Sequence, residues 1–318
     1  MVSQASQLPQ PLSLNDLLRR HCRDRLYVPP LRWTVQHLQL LKCRFVPRPR
    51  TPQPASPTRA RLTPPSESEQ SEEVSKHPPK QEDTGLQRAI RRLTRGNNLL
   101  FKRWGLKRLL RALSNDDVVT TLPPVARLPC HVFSHVIDDI PIPFLAYVDH
   151  SEVARFREDS IPTPRCNLPV WNIRKANLAR FQPTNIDQDP YFVGILIALA
   201  QAWRHSCSDD TVAHQSPHTV HLLVTNCKDI GFLKLYTAIV TLAFLRKFDQ
   251  PSEFLDSSLV IHCAHIPSES VSYIKHEIAA VVEPSRGRKR LRESSRTTEQ
   301  GACKRKKQGN GNGGDETT

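Results

Sequence analysis

Glycine is scarce in this chain. There are eleven in 318 residues, six of them after residue 283, so no Gly-rich loop can be assembled to cradle a phosphate. No G-x-S-x-G, H-E-x-x-H or protein-kinase pattern is present, which removes the commonest signatures of nucleophilic, zinc-dependent and phosphoryl-transfer enzymes. The eight cysteines, Cys22, Cys43, Cys130, Cys166, Cys207, Cys227, Cys263 and Cys303, are widely spaced and form no C-x-x-C pair, so a reduced intracellular setting is the default expectation. No apolar secretory segment is visible near Met1, and none is expected to direct export. The longest apolar runs, Tyr191–Ala200 and Leu235–Leu245, are too short to cross a bilayer, and no lipidation motif occurs.

Apolar residues are also thin overall. Only 38% of the chain is hydrophobic and 27 residues are proline. One core of ordinary density cannot cover such a chain, and a third or more of it is expected to be disordered.

One sign of charge is missing over a long stretch. From Thr84 to Ser114 there is no Asp or Glu, while Arg88, Arg91, Arg92, Arg95, Lys102, Arg103, Lys107, Arg108 and Arg111 all occur. The imbalance extends to the whole chain. Residues 1–113 carry a net charge of +14, residues 114–283 carry −6, and residues 284–318 carry +6. A mildly acidic folded part with a basic arm and tail points toward nucleic acid, an anionic surface or an acidic partner; solvated disorder with incidental charge is the bland alternative.

The acid-free stretch reads as a pair of basic amphipathic helices. Leu86, Ile90 and Leu93 make one apolar line. Leu99, Leu100, Phe101, Trp104, Leu106, Leu109, Leu110 and Leu113 make a broader one, with Gly96-Asn97-Asn98 as the break. Phosphate contact with nucleic acid, a membrane-surface helix and a calmodulin-type target helix each fit this pattern. So does docking of the apolar face on the protein's own core, with the basic face left to water. The width and aromatic content of the apolar face favour docking.

Five segments follow from composition. Residues 1–46 form a basic arm in which Leu14, Leu17 and Leu18, then Leu38, Leu40 and Leu41, mark short helices divided by Pro29-Pro30. Its arginine excess also suits a mitochondrial transit peptide. Residues 47–83 are rich in Pro, Ser and Glu and are expected to be a disordered linker. Residues 84–113 hold the helix pair, residues 114–283 the folded domain, and residues 284–318 a disordered basic tail.

The folded domain is expected to be α+β, with helices on a small sheet of three strands or slightly more. Asp189-Pro190 opens a helix carrying Phe192, Ile195, Leu196, Leu199 and Trp203 on one face. Thr219 to Thr225 and Phe232 to Val240 read as antiparallel strands, and Leu259 to Ala264 as a third. A short helix around Leu242–Phe248 and a last one after Pro267-Ser268 complete the set. Residues 114–185, interrupted by nine prolines, are expected to be irregular and to wrap this core, with short strands only at His131–Ile137 and Phe144–Val148.

Candidate chemistry is sparse. His262, Cys263 and His265, with His221 or Cys227, are a conceivable zinc set whose spacing matches no common motif. A restriction-nuclease layout would require [D/E]-x-K, but Phe232 stands where the acid before Lys234 belongs. Asp138-Asp139 and Asp209-Asp210 fall in expected loops. No catalytic, cofactor-binding or metal residue is assigned from the sequence, and no cofactor is expected.

The phrases "DPYFVGILIALAQAWR", "HTVHLLVTN" and "LYTAIVTLAFLRKFDQPS" resemble a group of uncharacterised fungal proteins, over about residues 95–283. The group has no assigned activity, so the resemblance implies no site. The tail is more specific. Arg288, Lys289 and Arg290 are followed, thirteen residues on, by Lys304, Arg305, Lys306 and Lys307. This resembles a bipartite nuclear import signal, whose clusters occupy acidic pockets of an import receptor. A nuclear, non-enzymatic interaction protein is the leading expectation; a nucleic-acid-associated protein, as a degenerate nuclease-like fold, is the alternative.

Overall fold

The computed structural model describes residues 12–48, 82–96, 98–114, 120–122, 128–137, 140–162, 168–206, 217–227 and 229–282. Residues 49–81 of the expected linker, the basic tail with the import signal, Asp138-Asp139 and Asp209-Asp210 lie outside the described residues, while Pro47 ends a strand and Glu82 and Asp83 open a helix.

The class is α+β, and the sheet is larger than three strands. Among the described residues seven strands form one mixed sheet: β1 (Cys43–Pro47), β2 (Thr120–Leu122), β3 (His131–Ile137), β4 (Ile140–Asp149), β5 (His218–Thr225), β6 (Phe232–Val240) and β7 (Leu259–Pro267), in the order β1-β7-β6-β5-β4-β3-β2. β5, β6 and β7 make an antiparallel run, as their alternation and the intervening turn residues lead one to expect. β4 joins β5 in parallel, Leu145 to Asp149 lying beside His221 to Thr225. At the far edge β1 joins β7 in parallel.

Two segments differ from what their composition suggests. The first is the arm. Its end, with Pro47 of the expected linker, forms the edge strand Cys43–Pro47, and its 3₁₀ turn Pro30–Arg32 lies against the core helix α7 (Pro190–Ser206) at Gly194, where a Cβ would come within 2.7 Å of Pro30 Cβ. Leu38 and Leu41 of α2 (Val35–Leu41) are buried with α7 in the same cluster. α1 (Leu14–Arg20), opened by a capping box between Ser13 and Asp16, docks through Leu14.

The second is the proline-rich region. β4 runs for ten residues through Pro141 and Pro143. Those prolines face only β3, because pairing with β5 begins at Leu145; a strand with one free edge tolerates a missing N–H. α5 (His150–Asp159) and α6 (Leu168–Phe181) follow, and Pro169 falls in the first turn of α6, where no intrahelical donor is needed.

Helices cover both faces of the sheet. On one, α7 packs with α8 (Leu242–Asp249), α2 and Val153 of α5 against Val220, Leu222, Tyr236, Ala238 and Ile261. α7 starts as its sequence suggests: Asp189 Oδ1 accepts the Tyr191 N–H at 2.9 Å, and Pro190 occupies the first position. On the other face lie a helix at residues 271–282, here α9, and the hairpin α3 (Glu82–Arg95) and α4 (Leu99–Ser114). Among the described residues no helix is long and apolar enough to cross a membrane.

Candidate functional site

The α3–α4 hairpin has two unlike faces. Its inner face, Ile90, Leu93, Leu106, Leu109 and Leu110, is buried against Phe133, Phe144, Leu145, Tyr147 and Leu223 of the sheet. Burying a large aliphatic side chain contributes about 1.5–3 kcal/mol each, so this face holds the hairpin firmly. The two helices approach closely at Gly105. A Cβ there would meet the Ala89 carbonyl oxygen at 2.6 Å and the Leu93 nitrogen at 3.0 Å.

The outer face carries the charge. Arg88, Arg91 and Arg95 are exposed along α3, roughly one turn apart; Arg108 and Arg111 are exposed along α4. Among the described residues no ion pair is made by any of these five. Arg92, Arg103 and Lys107 are half-buried beside them. The exposed side of α4 also carries Leu100 (63% exposed), Phe101 (57%) and Trp104 (43%). The Arg92 guanidinium lies 4.2 Å from the Trp104 ring centroid and that of Arg108 lies 5.3 Å away, a cation–π arrangement that fixes the indole.

Lys102 does not belong to this surface. It is 3% exposed and points inward to Asp149, the last residue of β4. Burial alone would raise the Asp149 pKa, but hydrogen bonds from Lys102, Ser151 and Thr225 hold the carboxyl below the usual carboxylate range. Thr225 Oγ1 donates to Asp149 Oδ2 at 2.6 Å, and Tyr147 OH lies 2.9 Å from Thr225 Oγ1. Asp149 also caps α5 by accepting the Ser151 N–H at 3.1 Å. The network therefore ties α4, β4, β5 and α5 together, and it is an anchor under the hairpin.

A second polar cluster gathers where β6 begins and β7 ends. Lys234 pairs with Asp187, which comes from the 3₁₀ turn Ile186–Gln188 preceding α7. Asp229 Oδ2 lies 3.9 Å from the same ammonium, and His265 Nε2 lies 3.5 Å from Asp187 Oδ2. Nothing in the spacing of the sequence links Asp187 to Lys234; the fold brings the start of α7 to the sheet end. A cavity of about 360 Å³ beside this cluster is lined by Phe45, Arg48, Asn185, Asp187, Cys263 and His265. Arg48 is engaged with the buried Glu277 of α9 at 3.0 Å. His150 lies nearby with burial lowering its pKa.

The zinc set of the sequence does not assemble. Cys263 is buried on the α7 face, its thiol pushed up to about 11 by desolvation. His221 is buried on the opposite face, its Nδ1 3.1 Å from Thr237 Oγ1. Cys227 is exposed. Among the described residues no group of three or more His, Cys, Asp or Glu side chains is placed to hold a metal ion.

No family model matches the chain, and neither a curated protein nor a solved structure matches it.

Proposed function

We propose that this chain is a non-enzymatic nuclear interaction protein whose interaction surface is the outer face of the α3–α4 hairpin. One observation carries the reading. A docked helix pair presents five exposed arginines without ionic partners among the described residues, on the same hairpin as three exposed apolar side chains of α4. The buried or half-buried pairs differ: Lys102–Asp149, Arg157–Asp189 and Lys234–Asp187 are satisfied within the molecule. An exposed patch of mixed basic and aromatic residues on a fixed scaffold is the form of a binding surface.

The nuclear part of the proposal rests on Arg288, Lys289, Arg290, Lys304, Arg305, Lys306 and Lys307, taken as ligands of a nuclear import receptor. The kinship with uncharacterised fungal proteins is likewise a proposal, supported by the quoted phrases alone.

A fluorescent fusion of the full chain tests the location. It is expected in the nucleus, with release to the cytoplasm when Lys304, Arg305, Lys306 and Lys307 are changed to Ala. Mitochondrial import with N-terminal cleavage, or a cytoplasmic wild-type fusion, would overturn the nuclear reading.

A further inference from the structure

We infer that the outer face of the α3–α4 hairpin binds single-stranded nucleic acid, with the arginine rows on its phosphates and Phe101 beneath a base. The inference rests on the reading of this face as the interaction surface and adds the chemistry of its partner.

The charge calls for a polyanion. Arg88, Arg91 and Arg95 recur at three and four residues on α3, so at a rise of about 1.5 Å per residue their heads stand about 5 Å apart along the axis. Arg108 and Arg111 repeat the interval on α4. Such rows suit a chain of regularly spaced anions, and guanidinium groups grip phosphate through paired N–H donors. No carboxylate from residues 84–114 competes for them.

The apolar residues decide among polyanions. A duplex offers phosphates and sugars to the outside of a helix pair and keeps its base faces stacked, which would leave Leu100 and Phe101 uncovered. A single strand can turn a base onto Phe101, and aromatic stacking of that kind tolerates any sequence. An acidic peptide would satisfy the arginines and bring no planar ring. A bilayer surface would take Trp104 into its interface, but the ring is already covered by the Arg92 and Arg108 guanidinium groups.

The inner face supplies rigidity. The leucines on the sheet, the close approach at Gly105 and the Lys102–Asp149 anchor set both rows before any ligand arrives. Preorganisation of this sort lowers the ordering cost of binding.

The test uses the full-length chain and a fluorescent fifteen-nucleotide oligothymidine, read by anisotropy from ~50 mM salt upward, where electrostatic binding is strongest. A duplex of the same length and poly-glutamate serve as competitors. The single strand is expected to win over both. Because the arm and tail are also basic, two variants locate the site. Changing Arg88, Arg91, Arg95 and Arg108 together to Gln should flatten the log–log salt slope by about 2–3 units, each single-strand phosphate contributing roughly 0.7. Phe101→Ala, an exposed position that leaves folding intact, should weaken single-strand binding about tenfold, leaving the duplex affinity and the salt slope unchanged. The inference is overturned by duplex binding as tight as single-strand binding, by displacement with poly-glutamate at equal charge, or by a silent Phe101→Ala. A nuclear fusion with no oligonucleotide affinity would refute this inference alone, and a cytoplasmic fusion that binds the oligonucleotide would refute the nuclear reading alone.

Discussion

Lys102 Nζ lies 2.5 Å from Asp149 Oδ2, with both side chains about 4% exposed. This pair joins the hairpin to the end of β4, and neither member has water to fall back on. Removing one partner of a buried ion pair leaves the other charge desolvated and costs about 3–5 kcal/mol. Lys102→Gln should therefore lower stability by that order in urea unfolding. Lys102→Met combined with Asp149→Asn should cost clearly less than the two single changes added together. Strict additivity would mean that the pair is not coupled.

Leu199 sits on the buried side of α7, against the sheet. Leu199→Ala deletes apolar volume from a packed interior and should cost about 2–5 kcal/mol. A loss below about 0.5 kcal/mol in the same unfolding assay would place that helix face in water.

Gly105→Ala sets two effects against each other. Alanine favours an isolated helix by about 1 kcal/mol over glycine. Against that, its Cβ would press on the Ala89 carbonyl oxygen at 2.6 Å, backbone that cannot swing aside. Separating the two helices should cost about 1–3 kcal/mol, so the melting temperature is expected to fall. A rise would show that the hairpin is not closely packed.

His131 and His221 give the stability a pH dependence. Burial pushes both down to about 4, with further repulsion from Arg103 on His131 and from Arg48 on His221. In the unfolded chain each titrates near 6.5. Between these values the unfolded state binds more protons than the folded state, so stability is full above about pH 6.5 and is lost as the pH falls toward 4. His221, the more deeply buried, accounts for about 2–4 kcal/mol of that loss. His221→Gln should flatten the fall in melting temperature across this window; an unchanged profile would assign the fall to other groups.

How much of this was legible in the sequence follows from which forces are local. α7, β5, β6, α8 and β7 were readable because each has its own apolar period and its own stop, such as Asp189 before Pro190 and Pro251 after α8. The docking of the hairpin was readable from the width of its apolar face, of which Leu106, Leu109 and Leu110 are buried. Leu100, Phe101 and Trp104, read as part of the same face, stand exposed because they fall on the side of α4 turned from the sheet. What was hidden depends on distant pairing. β1 is five residues long and acquires meaning only beside β7, more than two hundred residues later. The length of β4 was hidden by Pro141 and Pro143, whose tolerance depends on where β5 stops pairing. Lys102 looked like the other cations of its helix until Asp149 lay beneath it, and Asp187 had no visible tie to Lys234.

The central claim is that the outer hairpin face, held on a folded platform, is what this protein uses to engage its partner. The most direct measurement is ultraviolet crosslinking in living cells of the full-length wild type beside the chain with Arg88, Arg91, Arg95 and Arg108 changed to Gln, both confirmed as folded by thermal melting. The account predicts nuclease-sensitive crosslinked material from the wild type and a several-fold loss of it from the variant at equal melting temperature. Equal recovery from both chains would contradict it.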